Sequence, residues 1–218
     1  MRETLPSGTL AEVVRSEAPA RGLLIAADIG GLRPLFDDMV ARLAADHTWS
    51  VAAVEPFPGQ ESLTLEERMA AAAELDDERQ VGDLTAAADL LGVEPVGVIG
   101  FCMGGMYAMK AAATGRFDRA VSFYGMIRVP GNWRGEAQRD ALELLEKSGT
   151  ADRVLAIIGT ADPYTPAGEV ADLEVLGTTV VRYEGAEHGF VHDPTRPAHR
   201  PDDAADAWRR MAEWMSRQ

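Results

Sequence analysis

The single cysteine of the chain, Cys102, lies in the stretch GFCMGG, two residues from a glycine on either side. An apolar run precedes it and a segment with helical spacing follows, so Cys102 falls on a turn from a strand to a helix. A tight turn of this kind forces its central residue into an unfavourable backbone conformation, and the flanking residues must be small. Gly100 and Gly104 meet that need. The pattern is that of a nucleophile elbow with cysteine in place of serine.

Two features of this turn would make Cys102 reactive. The following helix presents free backbone N–H groups and the positive end of its dipole to the sulfur, which stabilises a thiolate. The N–H of Met103 is also placed to form half of an oxyanion hole. Three other interpretations compete, namely an ordinary core cysteine, a dinucleotide-binding loop and a phosphate-binding loop. The chain lacks the G-x-G-x-x-G spacing of the second and the Gly-Lys-Ser/Thr ending of the third.

A cysteine nucleophile needs a base and a group that orients the base. In elbow enzymes these residues follow in the order nucleophile, acid, histidine. Asp162 in GTADPYTP and His188 in EGAEHGF each follow an apolar, strand-like run, and open α/β sheets collect functional groups at the carboxyl ends of their strands. Taken singly, Asp162 fits a turn aspartate and His188 an exposed loop histidine. Their order and placement together predict a triad of Cys102, His188 and Asp162.

The other histidines suit different roles. His47 lies near the end of a predicted helix, where it would face the helix dipole or solvent. His192 and His199 lie in a loop rich in proline, aspartate and arginine, which favours surface or substrate contacts. His188 and His192 have the spacing of a helical zinc pair, but the glycine between them and the proline after them argue against a helix. We therefore expect no metal site.

The elements that must position these residues alternate along the chain. Short apolar runs and segments of helical spacing follow one another, a pattern typical of a doubly wound parallel sheet. The predicted strands cover 21–28, 49–57, 95–101, 119–125, 153–160 and 178–185. The predicted helices cover 32–47, 64–91 with a break at Gly82 and Asp83, 103–114, 137–149, 167–177 and 201–218. We predict one α/β domain over residues 1–218.

Composition narrows the classes of function. The 218 residues are 46% hydrophobic and 26% charged, as in ordinary globular proteins, and carry a formal net charge of −14. So acidic a chain does not suit nucleic acid or an anionic membrane. A single cysteine forms no disulfide within the chain, and we see neither a signal peptide nor a membrane span. We expect a cytoplasmic monomer or homodimer that uses no cofactor.

These motifs resemble the dienelactone hydrolase family of α/β-hydrolases: GFCMGG at the elbow, FYG at 123–125, GTADPYTP at the acid and EGAEHGF at the histidine. The resemblance extends from Leu24 to the C-terminal helix. It implies an α/β-hydrolase fold, with a mostly parallel sheet flanked by helices and no large lid domain. It also implies hydrolysis of a small ester or lactone through a thioacyl intermediate on Cys102.

The resemblance assigns further residues to the site. In the family an acid at the end of the first core strand contacts the resting thiol, and Asp28 of IAADIGG stands at that position. The next residue, Ile29, would supply a second oxyanion N–H beside that of Met103. The prototype enzymes carry an arginine four residues after the catalytic histidine, where this chain has His192. The candidate substrate contacts are Tyr124, Arg79, His192 and Arg196.

Two other classes of function stay open on the sequence. One is a non-catalytic protein that keeps the fold, although the order of Cys102, Asp162 and His188 argues against it. The other is a redox-responsive thiol protein. A sulfenic acid formed on Cys102 would find no second cysteine in the chain to resolve it, which also makes that function less favoured.

Overall fold

The computed structural model describes residues 1–217, and eight strands form one sheet. They are β1 (Arg2–Thr4), β2 (Leu10–Val14), β3 (Gly22–Ala26), β4 (Ser50–Val54), β5 (Val96–Phe101), β6 (Ala120–Phe123), β7 (Val154–Gly159) and β8 (Thr179–Tyr183). Their order is β1-β2-β4-β3-β5-β6-β7-β8. All neighbours from β4 to β8 are parallel, while β1 and β2 add an antiparallel edge. This is the predicted, mostly parallel sheet of an α/β-hydrolase.

Seven α-helices cover the two faces of the sheet within residues 1–217. They are α1 (Pro34–His47), α2 (Leu65–Ala71), α3 (Asp77–Leu91), α4 (Met103–Ala112), α5 (Ala141–Ser148), α6 (Ala167–Val175) and α7 (Pro201–Met215). Successive side chains of a strand point to opposite faces. In β3, accordingly, Leu23 and Ile25 pack with α1 and α7, whereas Leu24 and Ala26 pack with α3, α4, α5 and α6. Helices on both faces make the sheet doubly wound, as predicted.

The N-terminal hairpin was not predicted. Residues 10–14 alternate buried and half-buried side chains, the pattern of a strand with one face on the core. The run is only five residues long and carries a glutamate, so its apolar signal is weak. Pairing with β4 nevertheless gives β2 its hydrogen-bonding partner, and β1 then closes the edge of the sheet.

The break in the predicted segment 64–91 lies earlier than expected. A capping box at Thr64 and Glu67 begins α2. A short 3₁₀ turn over Ala72–Glu74 follows, and Asp76 caps the start of α3. Gly82 and Asp83 lie inside α3, contrary to our prediction, because the buried Asp83 carboxylate accepts a hydrogen bond from Thr9 that ties the helix to the N-terminal hairpin.

The carboxyl ends of the parallel strands meet at one edge of the sheet, which is where such folds place their sites. The loops after β3, β5, β7 and β8 carry Asp28, Cys102, Asp162 and His188. Between β6 and β7 the described chain holds only two 3₁₀ turns and α5, so no large lid domain is inserted there. None of the helices in residues 1–217 has the length and apolar character needed to cross a bilayer.

Candidate active site

Cys102 occupies the turn between β5 and α4, with no other residue between the two elements. Its backbone has φ 57° and ψ −121°, in a region that non-glycine residues avoid at a cost of about 1–3 kcal/mol. Two anchors hold it there. Its N–H donates to the carbonyl of Phe123 over 3.1 Å, and its own carbonyl accepts from Gly105 and Met106 at the start of α4. The strain directs the thiol outward, and Cys102 is half-buried.

The glycines around the elbow are required by close approach of the backbone. A Cβ atom on Gly100 would lie 2.0 Å from the carbonyl oxygen of Gly104. One on Gly104 would lie 2.0 Å from the carbonyl oxygen of Ala26, in β3. Real Cβ atoms do not come within 3.0 Å of such atoms. Helix α4 therefore packs directly on the backbone of β3 only because position 104 has no side chain.

His188 and Asp162 form a buried pair beside the elbow. Nδ1 of His188 lies 2.8 Å from Oδ2 of Asp162, whose other carboxylate oxygen accepts the N–H of Tyr164. Burial lowers the pKa of His188, but hydrogen bonds with Asp162 and Cys102 and the charges of both groups outweigh it and raise that pKa to about 9. His188 is thus a stronger base than a free imidazole, and it lines the same cavity as Cys102.

Two free backbone donors accompany the thiol. Met103 is the first residue of α4, and Ile29 lies in the turn after β3. Within residues 1–217, no protein acceptor takes a hydrogen bond from either N–H. Unpaired donors on two different elements are the arrangement that an oxyanion hole needs. Their role in an oxyanion hole stays a prediction.

Cys102 and His188 open onto a cavity of about 680 Å³. Its wall is largely apolar and includes the side chains of Leu63, Leu65, Met69, Met126, Trp133 and Tyr164. The ring of Tyr164 stands edge-on to that of His188, with 4.9 Å between their centres. Three arginines, Arg33, Arg68 and Arg196, and two aspartates, Asp28 and Asp193, add charges of both signs to the lining. A cavity of this size and character suits a small, partly apolar molecule.

Asp28 also lines the cavity, but its carboxylate has partners other than the thiol. Arg33 donates to both of its oxygens, over 2.6 and 2.8 Å, and Nε2 of His192 lies 2.8 Å from Oδ2. Burial raises the pKa of Asp28, and the bonds to His192 and Arg33 reverse the effect and hold that pKa well below its usual range. Within the described chain no hydrogen bond joins Asp28 to Cys102, so the expected thiol contact gives way to the hydrogen bonds with Arg33 and His192.

Three of the predicted substrate contacts lie elsewhere. Tyr124 is fully buried, and its hydroxyl lies 2.6 Å from Nδ1 of His192, which is buried as well. Both belong to the layer behind the cavity wall. Arg79 projects from α3 toward the N-terminal loop, where it donates to Thr9 and pairs with Asp83. Of the four candidates, only Arg196 lines the cavity.

Sequence reasoning missed two of the cavity arginines. Arg33 precedes α1, five residues after its partner Asp28, and such proximity in one loop was a usable signal. Arg68 lies in α2, where a charged residue is expected to face solvent. It is buried and pairs over 2.7 Å with Glu55, the equally buried residue that follows β4. A glutamate directly after an apolar strand was the available clue.

Comparison with known proteins agrees with this architecture. The sequence model of the dienelactone hydrolase family matches residues 8–218. A probable 2-oxo-3-(5-oxofuran-2-ylidene)propanoate lactonase from Bradyrhizobium sp. is 28% identical over 212 residues, covering 90% of this chain and 82% of the relative. A carboxymethylenebutenolidase from Rhodococcus opacus is 28% identical over 213 residues, covering 89% and 80%.

A solved structure shares the fold over its whole length. The putative dienelactone hydrolase from Klebsiella pneumoniae subsp. pneumoniae MGH 78578 superposes with a TM-score of 0.83 at 20% identity, covering 100% of this chain and 98% of the other. At that identity the likeness concerns the fold alone. The match of the family model, which spans nearly the entire sequence, shows more: the chain belongs to the dienelactone hydrolase family of carboxylic ester hydrolases.

Proposed function

We propose that the protein hydrolyses activated esters or lactones with Cys102 as the nucleophile, His188 as the base and Asp162 as the residue that orients His188. The observation that carries the proposal is the strained backbone of Cys102, which directs its thiol into the cavity that His188 also lines. Strain of this kind persists only where the surrounding structure imposes it, and it concentrates at functional sites.

In the first half of the reaction, His188 takes the proton of Cys102 and the sulfur attacks the carbonyl carbon of the substrate. A carbon–sulfur bond forms, and the π electrons of the carbonyl move to its oxygen. The N–H groups of Ile29 and Met103 bind that oxyanion. When it collapses, the bond to the leaving oxygen breaks, His188 returns the proton to that oxygen, and a thioacyl enzyme is left.

In the second half, water replaces the leaving group. His188 accepts a proton from the water while its oxygen attacks the thioester carbon. The carbon–sulfur bond then breaks, Cys102 regains its proton from His188, and a carboxylic acid is released. Throughout, the Asp162 carboxylate keeps Nδ1 of His188 protonated and leaves Nε2 to carry the moving proton.

The leaving group sets the substrate class. A thiolate is expelled more easily than an alkoxide, so the tetrahedral intermediate proceeds to product only when the leaving oxygen is a good leaving group, such as an enolate. The relatives include one named as a probable lactonase for an unsaturated lactone that carries a propanoate, and others named as carboxymethylenebutenolidases. We therefore propose enol lactones with a carboxylate as substrates, and Arg196 as the cavity cation for that carboxylate. A cytoplasmic location, which keeps Cys102 reduced, completes the proposal.

Alkylation provides the direct test, because Cys102 is the only cysteine and iodoacetamide therefore modifies one site. Stoichiometric alkylation and Cys102→Ala should each abolish hydrolysis of p-nitrophenyl acetate and of an unsaturated enol lactone. Rapid-quench mass spectrometry should detect one acyl group on the wild type. Full activity after alkylation would contradict the proposal. Absence of turnover together with a reversible sulfenate at micromolar peroxide would identify a redox protein instead.

A further inference from the structure

The turn that carries the Ile29 N–H is held by Asp28 in two ways. Oδ1 of Asp28 accepts the N–H of Gly30 over 2.9 Å, and its backbone carbonyl accepts the N–H of Gly31 over 2.9 Å. The Asp28 carbonyl and the Ile29 N–H belong to one planar trans peptide and point in opposite directions. Fixing the carbonyl on Gly31 therefore fixes the direction of the Ile29 N–H, which no protein group within residues 1–217 accepts.

Asp28 is in turn anchored by a chain of buried side chains. A carboxylate only accepts hydrogen bonds, so Nε2 of His192 must carry the hydrogen of their 2.8 Å contact. In the tautomer that carries its hydrogen on Nε2, Nδ1 of the same ring accepts the hydroxyl of Tyr124 over 2.6 Å. Arg33 closes the other side of the carboxylate with two hydrogen bonds. Every polar atom of the chain from Tyr124 to Asp28 is thereby satisfied.

The backbone of Tyr124, at the other end of this series of hydrogen-bonded side chains, is strained as well. Tyr124 has φ 42°, and the only other non-glycine residues with positive φ in the described chain are Cys102 and Thr48. Thr48 ends α1, where that conformation is common. Tyr124 instead immediately follows β6, with its N–H bound to the carbonyl of Ile157 over 2.8 Å. Its ring is packed fully inside the protein, aimed at His192.

We propose that Asp28, His192 and Tyr124 are positioning residues that orient the Ile29 N–H of the oxyanion hole. This inference rests on the proposed function, since it assigns a task within that reaction. It gives Asp28 a role other than contact with the resting thiol. A donor that points away from the oxyanion loses its effect, and removing one such donor typically lowers kcat about 10²- to 10³-fold.

The test compares variants along the chain. Asp28→Ala should lower kcat for p-nitrophenyl acetate about 10²-fold with KM nearly unchanged, and Asp28→Asn, which keeps an oxygen for Gly30, should lose less. His192→Phe should lower kcat at least about 10-fold. His192→Gln should recover most of that loss, because its amide can donate to Asp28 and accept from Tyr124. Tyr124→Phe should be intermediate.

The matched control is Tyr183→Phe. It also removes a tyrosine hydroxyl bonded to a side chain, that of Asp206, but away from the cavity, and it should leave kcat unchanged. Two further readouts separate positioning from general loss of structure. The rate and pH profile of Cys102 alkylation by iodoacetamide should match wild type in every variant. Thionoesters, whose sulfur is a weak acceptor, should lose far less rate than the corresponding esters.

The outcomes are distinguishable. An active wild type with undiminished kcat in Asp28→Ala and His192→Phe would overturn this inference and leave the proposed function standing. A shifted alkylation profile in Asp28→Ala would overturn it in favour of a direct partnership between Asp28 and the thiol. Equal losses of kcat on esters and thionoesters would mean that Asp28, His192 and Tyr124 contribute to stability alone. A wild type that hydrolyses no ester or lactone would overturn both the inference and the proposed function.

Discussion

Nδ1 of His188 lies 2.8 Å from Oδ2 of Asp162, although 26 residues separate the two in the chain. The sheet produces this proximity, since β7 and β8 are parallel neighbours with Gly159 opposite Tyr183. Each residue then follows its own strand by a few positions. The Asp162 side chain is fully enclosed, whereas that of His188 keeps 13% of its surface exposed toward the cavity. Asp162 is thus enclosed and His188 is open to the cavity, as their proposed roles require.

Asp162→Asn should test that support. The amide can no longer stabilise a protonated His188 and can hold the ring in the wrong tautomer, so kcat should fall roughly 10²- to 10⁴-fold with little change in KM. Steady-state hydrolysis of p-nitrophenyl acetate measures the loss. Thermal unfolding of the same variant is the control, and a kcat within a factor of about three of wild type would show that Asp162 does not orient the base.

The pKa of His188 gives a second prediction, on pH. Its value is raised from 6.5 to about 9, so the folded state prefers the protonated ring. The stability that this preference supplies is complete below pH 6.5 and is lost as the pH rises through 9. The free energy of unfolding of wild type minus that of His188→Gln should therefore decrease between these values. Urea denaturation at several pH values measures it, and NMR should give a His188 midpoint that falls in Asp162→Asn.

Two glycine substitutions should distinguish a glycine required by close backbone packing from one that has open space around it. Gly104→Ala places a methyl group 2.0 Å from the Ala26 carbonyl oxygen, so the protein should lose at least about 3 kcal/mol or fail to fold. Gly82→Ala, inside α3 with open space around its Cβ, should gain about 0.5–1 kcal/mol from helix propensity. Chemical denaturation checks both. A Gly104→Ala protein as stable as wild type would contradict the packing described for the elbow.

Arg196 and Arg79 differ in what they face, and their substitution should show it. Arg196 lines the cavity and is exposed, so Arg196→Gln should raise KM for a carboxylate-bearing ester about three- to fivefold at low salt. The effect should shrink with ionic strength and vanish on a neutral ester of the same size. Arg79→Gln should leave KM unchanged for both esters. Equal effects of the two variants would argue against an anion contact at Arg196.

The buried pair of Arg68 and Glu55 makes a prediction about stability. Arg68→Met leaves the Glu55 carboxylate enclosed without its counter-charge, which typically costs about 3–5 kcal/mol. The double variant Glu55→Gln, Arg68→Met removes both charges and should recover much of that loss. Urea denaturation of the two single variants and the double variant measures the coupling. Additive losses would mean that the two side chains do not act as a pair.

The reactive corner was predictable because backbone geometry constrains the sequence there. Only glycine fits at Gly100 and Gly104, and Cys102 is the middle one of the three residues between them. The placement of Asp162 and His188 was predictable for a related reason, since each follows a strand. The parallel sheet was predictable from the alternation of apolar runs and helical spacing, so the fold and the placement of the candidate site residues follow from local rules.

The contacts of the residues around the Cys102 turn could not be predicted from such local rules. Arg68 lies on a short helix whose inward face is set by the course of the chain between β4 and α3. His192 was expected to face substrate, yet the loop after β8 buries it against Tyr124 and Asp28. Asp28 was assigned to the thiol because of its position, while its partners were decided by Arg33, a side chain on the same loop. Tertiary neighbours of this kind leave no periodic signal.

Backbone groups form one part of the site, and side chains form the other. The carbonyl of a substrate would be held by peptide groups, Met103 on α4 and Ile29 after β3, whose spacing is set where Gly104 rests on Ala26. The rest of the molecule would meet side chains such as Leu65 and Met69 on α2, a seven-residue helix whose apolar side chains are at most partly buried against the core. Replacement of that peripheral segment therefore offers evolution, or an engineer, a way to alter selectivity while the chemistry stays intact.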